Sequence, residues 1–424
     1  MDSQVISRGG DQIPRPAEGF GPLLQETGAG AKPLRQQVFE HVRGQRTATR
    51  AEITRALDIS AGSVTQLTAD LIARSFLEEV DDTQRETGRG RPPTALRVVP
   101  DTRLVLGIKI SDETHTAVIT DLAGNERGSA TKSTRPHKRS INALTAEIEE
   151  LLERAVADAG CDRSELAAIG MGLAGLVDHP TGMVAWSPFL SGRDLRLKDE
   201  LQDHLGLPVY VDNDVNLLTL AELWFGAGRS MSNFVVVTIE QGVGMGLVIN
   251  NQVYRGARGM GLELGHTKVQ LEGALCRCGK RGCLEAYVAD YALVREASTA
   301  LDRPLRNLQS PQTTLDALFR EAKAGNATAL SIFQRAGRYL SLGLSNVVQV
   351  FDPELIILSG ARMQYDFLYA DEVLAEMQSH ALDDHRPQSQ VQIHTWGDLV
   401  WARGATALAL SAETDRAMGE AWGA

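Results

Sequence analysis

Cysteine is scarce here: the 424 residues hold four. That is too few for a scaffold built on disulfides. The opening Met-Asp-Ser-Gln-Val-Ile-Ser-Arg lacks the charged-then-apolar pattern of an export signal. No apolar run approaches the eighteen or so residues needed to span a bilayer. An excess of positive charge is missing too. The net charge of −11 argues against wholesale coating of nucleic acid, though not against a small module whose basic residues are local. No short repeat is visible. What remains is ordinary. Hydrophobic residues at 43% and charged residues at 23% describe a soluble globular chain, expected in the cytoplasm. Its length suits about two to four domains.

The few cysteines are not scattered. Cys276, Cys278 and Cys283 fall in Cys-Arg-Cys-Gly-Lys-Arg-Gly-Cys, with His266 just upstream. Three thiolates and one imidazole form a full tetrahedral set for zinc. Gly279 and Gly282 let the chain wrap tightly around an ion. Four protein ligands leave no open position, so the expected Zn2+ is structural. Glu263 and Glu285 bracket these ligands. A zinc knot between them would hold both carboxylates on one wall.

Residues 1–32 are rich in Gly, Pro, Gln and Ser and read as a flexible tail. From Pro33 helical spacing begins, with Leu34, Val38, Phe39 and Val42. Thr49 and Glu52 form a capping box for a second helix whose inner face is Ile53, Ala56 and Leu57. After a tight turn, Val64, Leu67, Leu71 and Ile72 line a third. This is the pattern of a helix-turn-helix. Ser63, Thr65, Gln66 and Thr68 are its outward residues, suited to phosphates and base edges in a major groove. Arg50 stands beside the second helix. Strands near 76–80 and 94–99 flank Thr87-Gly88-Arg89-Gly90-Arg91-Pro92-Pro93, a wing whose Arg89 and Arg91 would enter a minor groove. A helical packing module that never touches DNA is the alternative.

From Arg103 strands and helices alternate. A hairpin is expected over 104–120, a helix over 141–159 and a strand over 167–173. A strand at 209–211 delivers Asp212-Asn213-Asp214-Val215-Asn216. Strands at 234–238 and 245–249 precede the cysteines. Helices dominate 290–350, a strand follows at 355–361, and 401–412 is a helix of small residues suited to close packing. Hairpins near 104 and 234 each open a half. That predicts a duplicated α/β unit with a ligand cleft between lobes.

Four segments together resemble the ROK family of repressors, open reading frames and sugar kinases. They are Asp212-Asn213-Asp214-Val215-Asn216, Glu263-Leu264-Gly265-His266, Cys276-x-Cys278-Gly-x-x-Gly-Cys283-x-Glu285 and Asp352-Pro353-Glu354. The likeness covers roughly residues 34–412. The module in front is similar to the repressor branch, that of the xylose and N-acetylglucosamine repressors. The resemblance implies an α/β chain in which a winged helix-turn-helix, 33–98, precedes a two-lobed actin-like, hexokinase-like ROK domain with a structural zinc. The first lobe would be 99–222 with a C-terminal helix from 400–424, and the second 223–399.

The same resemblance implies that Asn213, Asp214, Glu263, His266 and Glu285 grip sugar hydroxyls, as carboxylates and amides are able to. Asp214 matches the catalytic base of the family's kinases. Those kinases carry a first phosphate loop reading roughly Asp-x-Gly-Gly-Thr. Here the matching residues are Lys109-Ile110-Ser111-Asp112-Glu113, without the glycines and with two carboxylates where an anion would sit. Val243 stands where the second loop has a Thr. Ala174 and the stretch 189–193 also depart from the pattern, which leaves the sugar open. The expectation is a non-enzymatic, sugar-responsive transcriptional repressor. Its partners would be operator DNA, a sugar effector, and copies of itself in a homodimer or homotetramer. An ATP-dependent sugar kinase with an appended DNA-binding domain is the alternative. A zinc-stabilised scaffold without a small ligand is a third.

Overall fold

The computed structural model describes residues 4–8, 19–23, 32–81, 94–301, 311–369, 371–382 and 388–419. The chain divides into two compact units. One contains 13–232, 248–260 and 398–424; the other contains 1–12, 233–247 and 261–397.

In the first of these, five strands lie in the order Val209–Asn213, Leu166–Leu173, Leu104–Ile110, Thr114–Asp121, Glu126–Ser133. The first three run parallel and the others antiparallel. Leu104, Val105, Leu106, Ile108 and Ile110 of the middle strand are all buried. Such a run belongs to a strand covered on both faces. Helix Ile141–Ala159 packs on the antiparallel half, burying Leu144, Ile148, Leu151 and Leu152.

Helix Val400–Gly419 packs on the parallel half. Two strand glycines permit this. A Cβ on Gly107 would stand 2.0 Å from the Ala402 carbonyl oxygen, and one on Gly170 would stand 1.9 Å from that of Ala405. The small-residue pattern read over 401–412 serves this contact. The helix runs seven residues further than that pattern, to Gly419, because Ala417 and Met418 are buried as well.

The N-terminal segment belongs to the same unit. Helices Leu34–Gln45, Arg50–Leu57 and Ala61–Ala73 accompany a three-stranded antiparallel sheet, Thr47–Thr49, Thr94–Val98, Leu77–Asp81. Thr49 and Glu52 form the expected capping box, and the Ser60 side chain caps the third helix. Val38, Phe39, Val42, Ile53, Val64 and Leu71 are fully buried. Ala56, expected inside, is exposed. The loop 82–93, with Arg89 and Arg91, lies outside the described residues.

Two stretches of the expected tail are packed against the rest of the protein. Phe20 is buried between Trp224 and Phe225, at centroid distances of 5.3 and 5.7 Å. Gly124 makes room for it: a Cβ there would stand 2.1 Å from the Phe20 ring. Gln4–Arg8 forms a strand in the other unit.

That other unit orders its strands Gln4–Arg8, Gln390–Thr395, Leu355–Ser359, Phe234–Ile239, Val243–Ile249. Leu355–Ser359 lies parallel to Phe234–Ile239, and Gln390–Thr395 lies parallel to Leu355–Ser359. The first sheet repeats this order: a hairpin, a third strand parallel to its first, and a fourth outside that. This is the duplication that the two hairpins predict. Strands Glu126–Ser133 and Gln390–Thr395 are additions to the sequence reading. Among the described residues, no helix is long and apolar enough to cross a membrane.

Candidate metal centre and ligand edge

His266, Cys276, Cys278 and Cys283 converge, with their ligand atoms all within 4.8 Å of one another. Cys278 Sγ lies 3.7 Å from Cys283 Sγ, and Cys276 Sγ lies 3.7 Å from His266 Nδ1. A tetrahedral ion with metal–sulfur bonds near 2.3 Å spaces its donors roughly 3.8 Å apart. The set therefore fits such an ion. The local sequence explains the wrap. Gly279 and Gly282 adopt φ of +83° and +73°. At Gly282 a Cβ would stand 1.6 Å from the Gln270 carbonyl oxygen, so no other residue fits. Burial pushes the Cys276 thiol up to about 12 in the ion-free chain. A bound cation reverses that preference by stabilising the thiolate.

Both bracketing glutamates border this cluster. His266 turns Nδ1 toward Cys276 and Nε2 toward Glu263, whose Oε2 is 4.0 Å away. Glu285 Oε1 accepts from the Cys276 thiol at 3.6 Å. Two partners escaped the sequence reading. Tyr291 places its hydroxyl 3.5 Å from Cys276 Sγ and 3.4 Å from Glu285 Oε1. Lys268 Nζ donates to Cys283 Sγ at 2.8 Å. Tyr291 follows Glu285 by six residues, a spacing that carries no signal by itself. Gly242 matters to the same carboxylate. A Cβ there would stand 3.0 Å from Glu285 Oε2, so this glycine makes room for the carboxylate.

Asn213 and Asp214 belong to the other unit, where strand Val209–Asn213 meets helix Asp214–Phe225. Asn213 is the N-cap: its Oδ1 accepts from Val215 N at 2.8 Å, and its Nδ2 donates to the Gly175 carbonyl at 2.8 Å. Asp214 opens the helix, where a carboxylate is favoured by the backbone dipole.

The Ser111 turn is internally satisfied. Ser111 N donates to His115 Nδ1 at 3.2 Å, and Glu113 N and Thr114 N point at Ser111 Oγ. Three backbone donors are thus spent within the turn. His115 Nε2 meets Glu147 at 2.9 Å, and the fully buried Arg139 binds the same carboxylate at 2.6 Å.

In the N-terminal module the structure corrects one residue. Thr68, expected to face outward, is fully buried. Val64, Thr68 and Leu71 fall on one stripe of the third helix, at i, i+4 and i+7. Thr68 Oγ1 accepts from Arg50 Nε at 3.0 Å, and Arg50 also reaches Glu79 at 2.8 Å. Thr65 and Gln66 are exposed, and Ser63 is half-buried. Thr65 donates its hydroxyl to the Ala61 carbonyl at 2.8 Å, which leaves Gln66 as the exposed amide.

These features define an α/β protein of two duplicated sheets with a Cys3His cluster and an N-terminal helix–strand module. The sequence profile of the ROK family matches residues 105–412, and the chain belongs to that family. A putative xylose repressor from Caldicellulosiruptor sp. (strain Rt8B.4) is 26% identical over 382 residues, 88% of this chain and 94% of the relative. A glucokinase from Halalkalibacterium halodurans is 31% identical over 266 residues, 60% of this chain and 79% of the enzyme. The crystal structure of a ROK family transcriptional regulator, a homolog of the E. coli MLC protein, superposes with a TM-score of 0.76 at 24% identity. It covers 91% of this chain and 96% of its own.

Proposed function

We propose that the chain is a sugar-responsive, DNA-binding transcriptional repressor of the cytoplasm, acting as a homodimer or homotetramer. One observation carries this. The likeness to the xylose repressor runs over 382 residues, longer than the matched ROK segment, so it reaches into the N-terminal module. The likeness to the glucokinase runs over only 266. The module is read as a winged helix-turn-helix covering 33–98, in front of an actin-like pair of lobes. Gln66, Thr65 and Ser63 would meet the operator, with Arg89 and Arg91 in the wing.

The effector would be a sugar gripped by Asn213, Asp214, Glu263, His266 and Glu285. The metal is read as a structural zinc on His266, Cys276, Cys278 and Cys283. It supplies a fixed frame for the two glutamates, and no reaction passes through it. The spent donors of the Ser111 turn and the carboxylates of Asp112 and Glu113 speak against nucleotide binding.

The test is a gel shift on the DNA upstream of its own gene, with and without D-xylose and D-glucose. A shift released by one sugar is expected. No shift on any nearby intergenic DNA would sink the proposal. The glucokinase relative keeps a second reading in play, that of a sugar kinase. ADP release with a hexose, abolished by Asp214→Asn, would establish it in place of the first.

The helix correction gives a further expectation. Gln66→Ala weakens operator binding by about 1–3 kcal/mol at one base position and leaves Tm unchanged. Thr68→Val is read in Tm instead, because the fully buried Thr68 hydroxyl that accepts from the half-buried Arg50 Nε is lost. Equal effects of both on DNA binding alone would contradict this assignment.

A further inference from the structure

Asp212, just before the Asn213–Asp214 edge, is fully buried and uses both carboxylate oxygens. Its Oδ1 accepts from Asn213 N at 2.8 Å and from Asn216 Nδ2 at 2.7 Å. Its Oδ2 accepts from Arg255 Nε at 2.7 Å, and His179 Nδ1 lies 3.5 Å away. Arg255 is itself steadied by donating to the Val253 carbonyl at 3.2 Å. A buried carboxylate is tolerated only when paired and hydrogen-bonded. Arg255 supplies that charge. Asp212 then passes the constraint to the backbone of Asn213.

The edge is therefore held from three directions. Asp212 fixes the Asn213 N–H, Gly175 fixes the Asn213 amide, and the helix start takes its Oδ1. The segment carrying Arg255 is seated as well. Gly259, at φ +69°, lies so close that a Cβ would stand 2.9 Å from His179 N and 3.3 Å from the Val177 carbonyl oxygen. In sequence, that segment runs straight on to Glu263.

We propose that Asp212 and Arg255 are positioning residues for the effector: a buried ion pair that fixes the Asn213–Asp214 edge in the geometry that grips sugar hydroxyls. This rests on the sugar reading above. Neither residue needs to touch the sugar. Losing either charge lets the N-cap backbone relax and misplaces the two side chains together.

The experiment is isothermal calorimetry on the full chain with D-xylose and D-glucose, alongside Tm. The variants are Asp212→Asn, Arg255→Met, Arg255→Lys, the double Asp212→Asn/Arg255→Met, and Asp214→Asn. The wild type is expected to bind one sugar. Asp212→Asn and Arg255→Met weaken it roughly ten- to hundred-fold, the size of a lost charge-assisted hydrogen bond. Arg255→Lys restores part of the affinity, and the double variant is no worse than the poorer single one. Should Asp212→Asn fail to fold, the two Arg255 variants carry the test. If they bind sugar as the wild type does while Tm falls, the pair is only structural and the proposal is overturned, with the sugar reading intact. If the wild type binds neither sugar and Asp214→Asn behaves identically, the sugar reading falls and takes this proposal with it.

Discussion

Stripping the proposed metal is expected to uncover the buried thiols of Cys276 and Cys283 and melt the loop between Glu263 and Glu285. Leu264 and Leu284 at its two ends belong to the main core of their unit, but little else holds the stretch between them. Its own apolar cluster is Cys276, Cys283 and Ala286, with Ala274 and Tyr287 packed beside them. Leu271 and Leu275 within it are exposed. Structural zinc in small peptides supplies about 10–16 kcal/mol, and here too the ion would replace a missing core. For units of this size each kcal/mol lost appears as about 2–4 °C in Tm, so a loss of several is read as a shift of roughly ten degrees or more. Thiol titration follows the same event. Cys276 and Cys283 are buried, so a thiol reagent has little access to them in the intact chain. After chelation all three become reactive, and adding zinc back restores the protection. Cys283→Ser should give the same Tm shift without chelator. Acid acts in the same direction. Protons compete for three thiolates and one imidazole, so metal retention falls as pH drops. Metal analysis that finds no bound ion, with thiol reactivity indifferent to chelator, would refute this account.

The sequence made this cluster legible because metal chemistry needs particular residue types at short spacing. Cys276, Cys278, Cys283 and His266 are close in the chain before they are close in space. The first strands and their duplication were legible for a related reason, since apolar runs such as 104–110 announce a strand covered on both faces. Strand Glu126–Ser133 was not, because a sheet's outermost strand needs few apolar residues and this one has almost none. Thr68 misled for the opposite reason. Its hydroxyl suggested the surface, while its position on the Val64–Leu71 stripe put it inside, where Arg50 supplies a partner. Phe20 lay in a stretch whose composition reads as disordered. Its pocket is made by Gly124, Trp224 and Phe225, which are remote in sequence, so no local pattern announces it. Asp212 and Arg255, 43 residues apart, were hidden in the same way.

Replacing Arg229 with alanine is expected to disconnect DNA binding from the sugar while leaving both parts folded. Arg229 is buried just beyond helix Asp214–Phe225. Its Nε donates to the Gly21 carbonyl at 2.9 Å and its Nη2 to the Gly44 carbonyl at 2.6 Å. Gly44 lies near the end of the first helix of the N-terminal module, so one guanidinium joins that module, Gly21 and the ROK segment. Burial lowers its pKa to about 10, which keeps it charged at neutral pH. Around it, Arg43 stacks over Trp224 at 4.5 Å and donates to Thr414 Oγ1 at 3.2 Å, and Phe20 wedges against the same tryptophan. Helix Asp214–Phe225 thus begins at the proposed sugar residues and ends, about 18 Å away, on the contacts that hold the module. A helix is stiff enough to carry a small shift from one end to the other, provided the far end stays attached. Two charge-assisted bonds are worth about 1.5–3 kcal/mol each, so Arg229→Ala should cost about 3–6 kcal/mol of attachment. The ratio of operator affinities without and with sugar should then collapse toward one, because the effector must distinguish two states of the module to act at all. Arg229→Lys should retain part of the response. Limited proteolysis should cut the alanine variant near residues 99–103 faster than the wild type. An Arg229→Ala protein that sugar still releases from DNA with the wild-type ratio would show that the signal travels by another route.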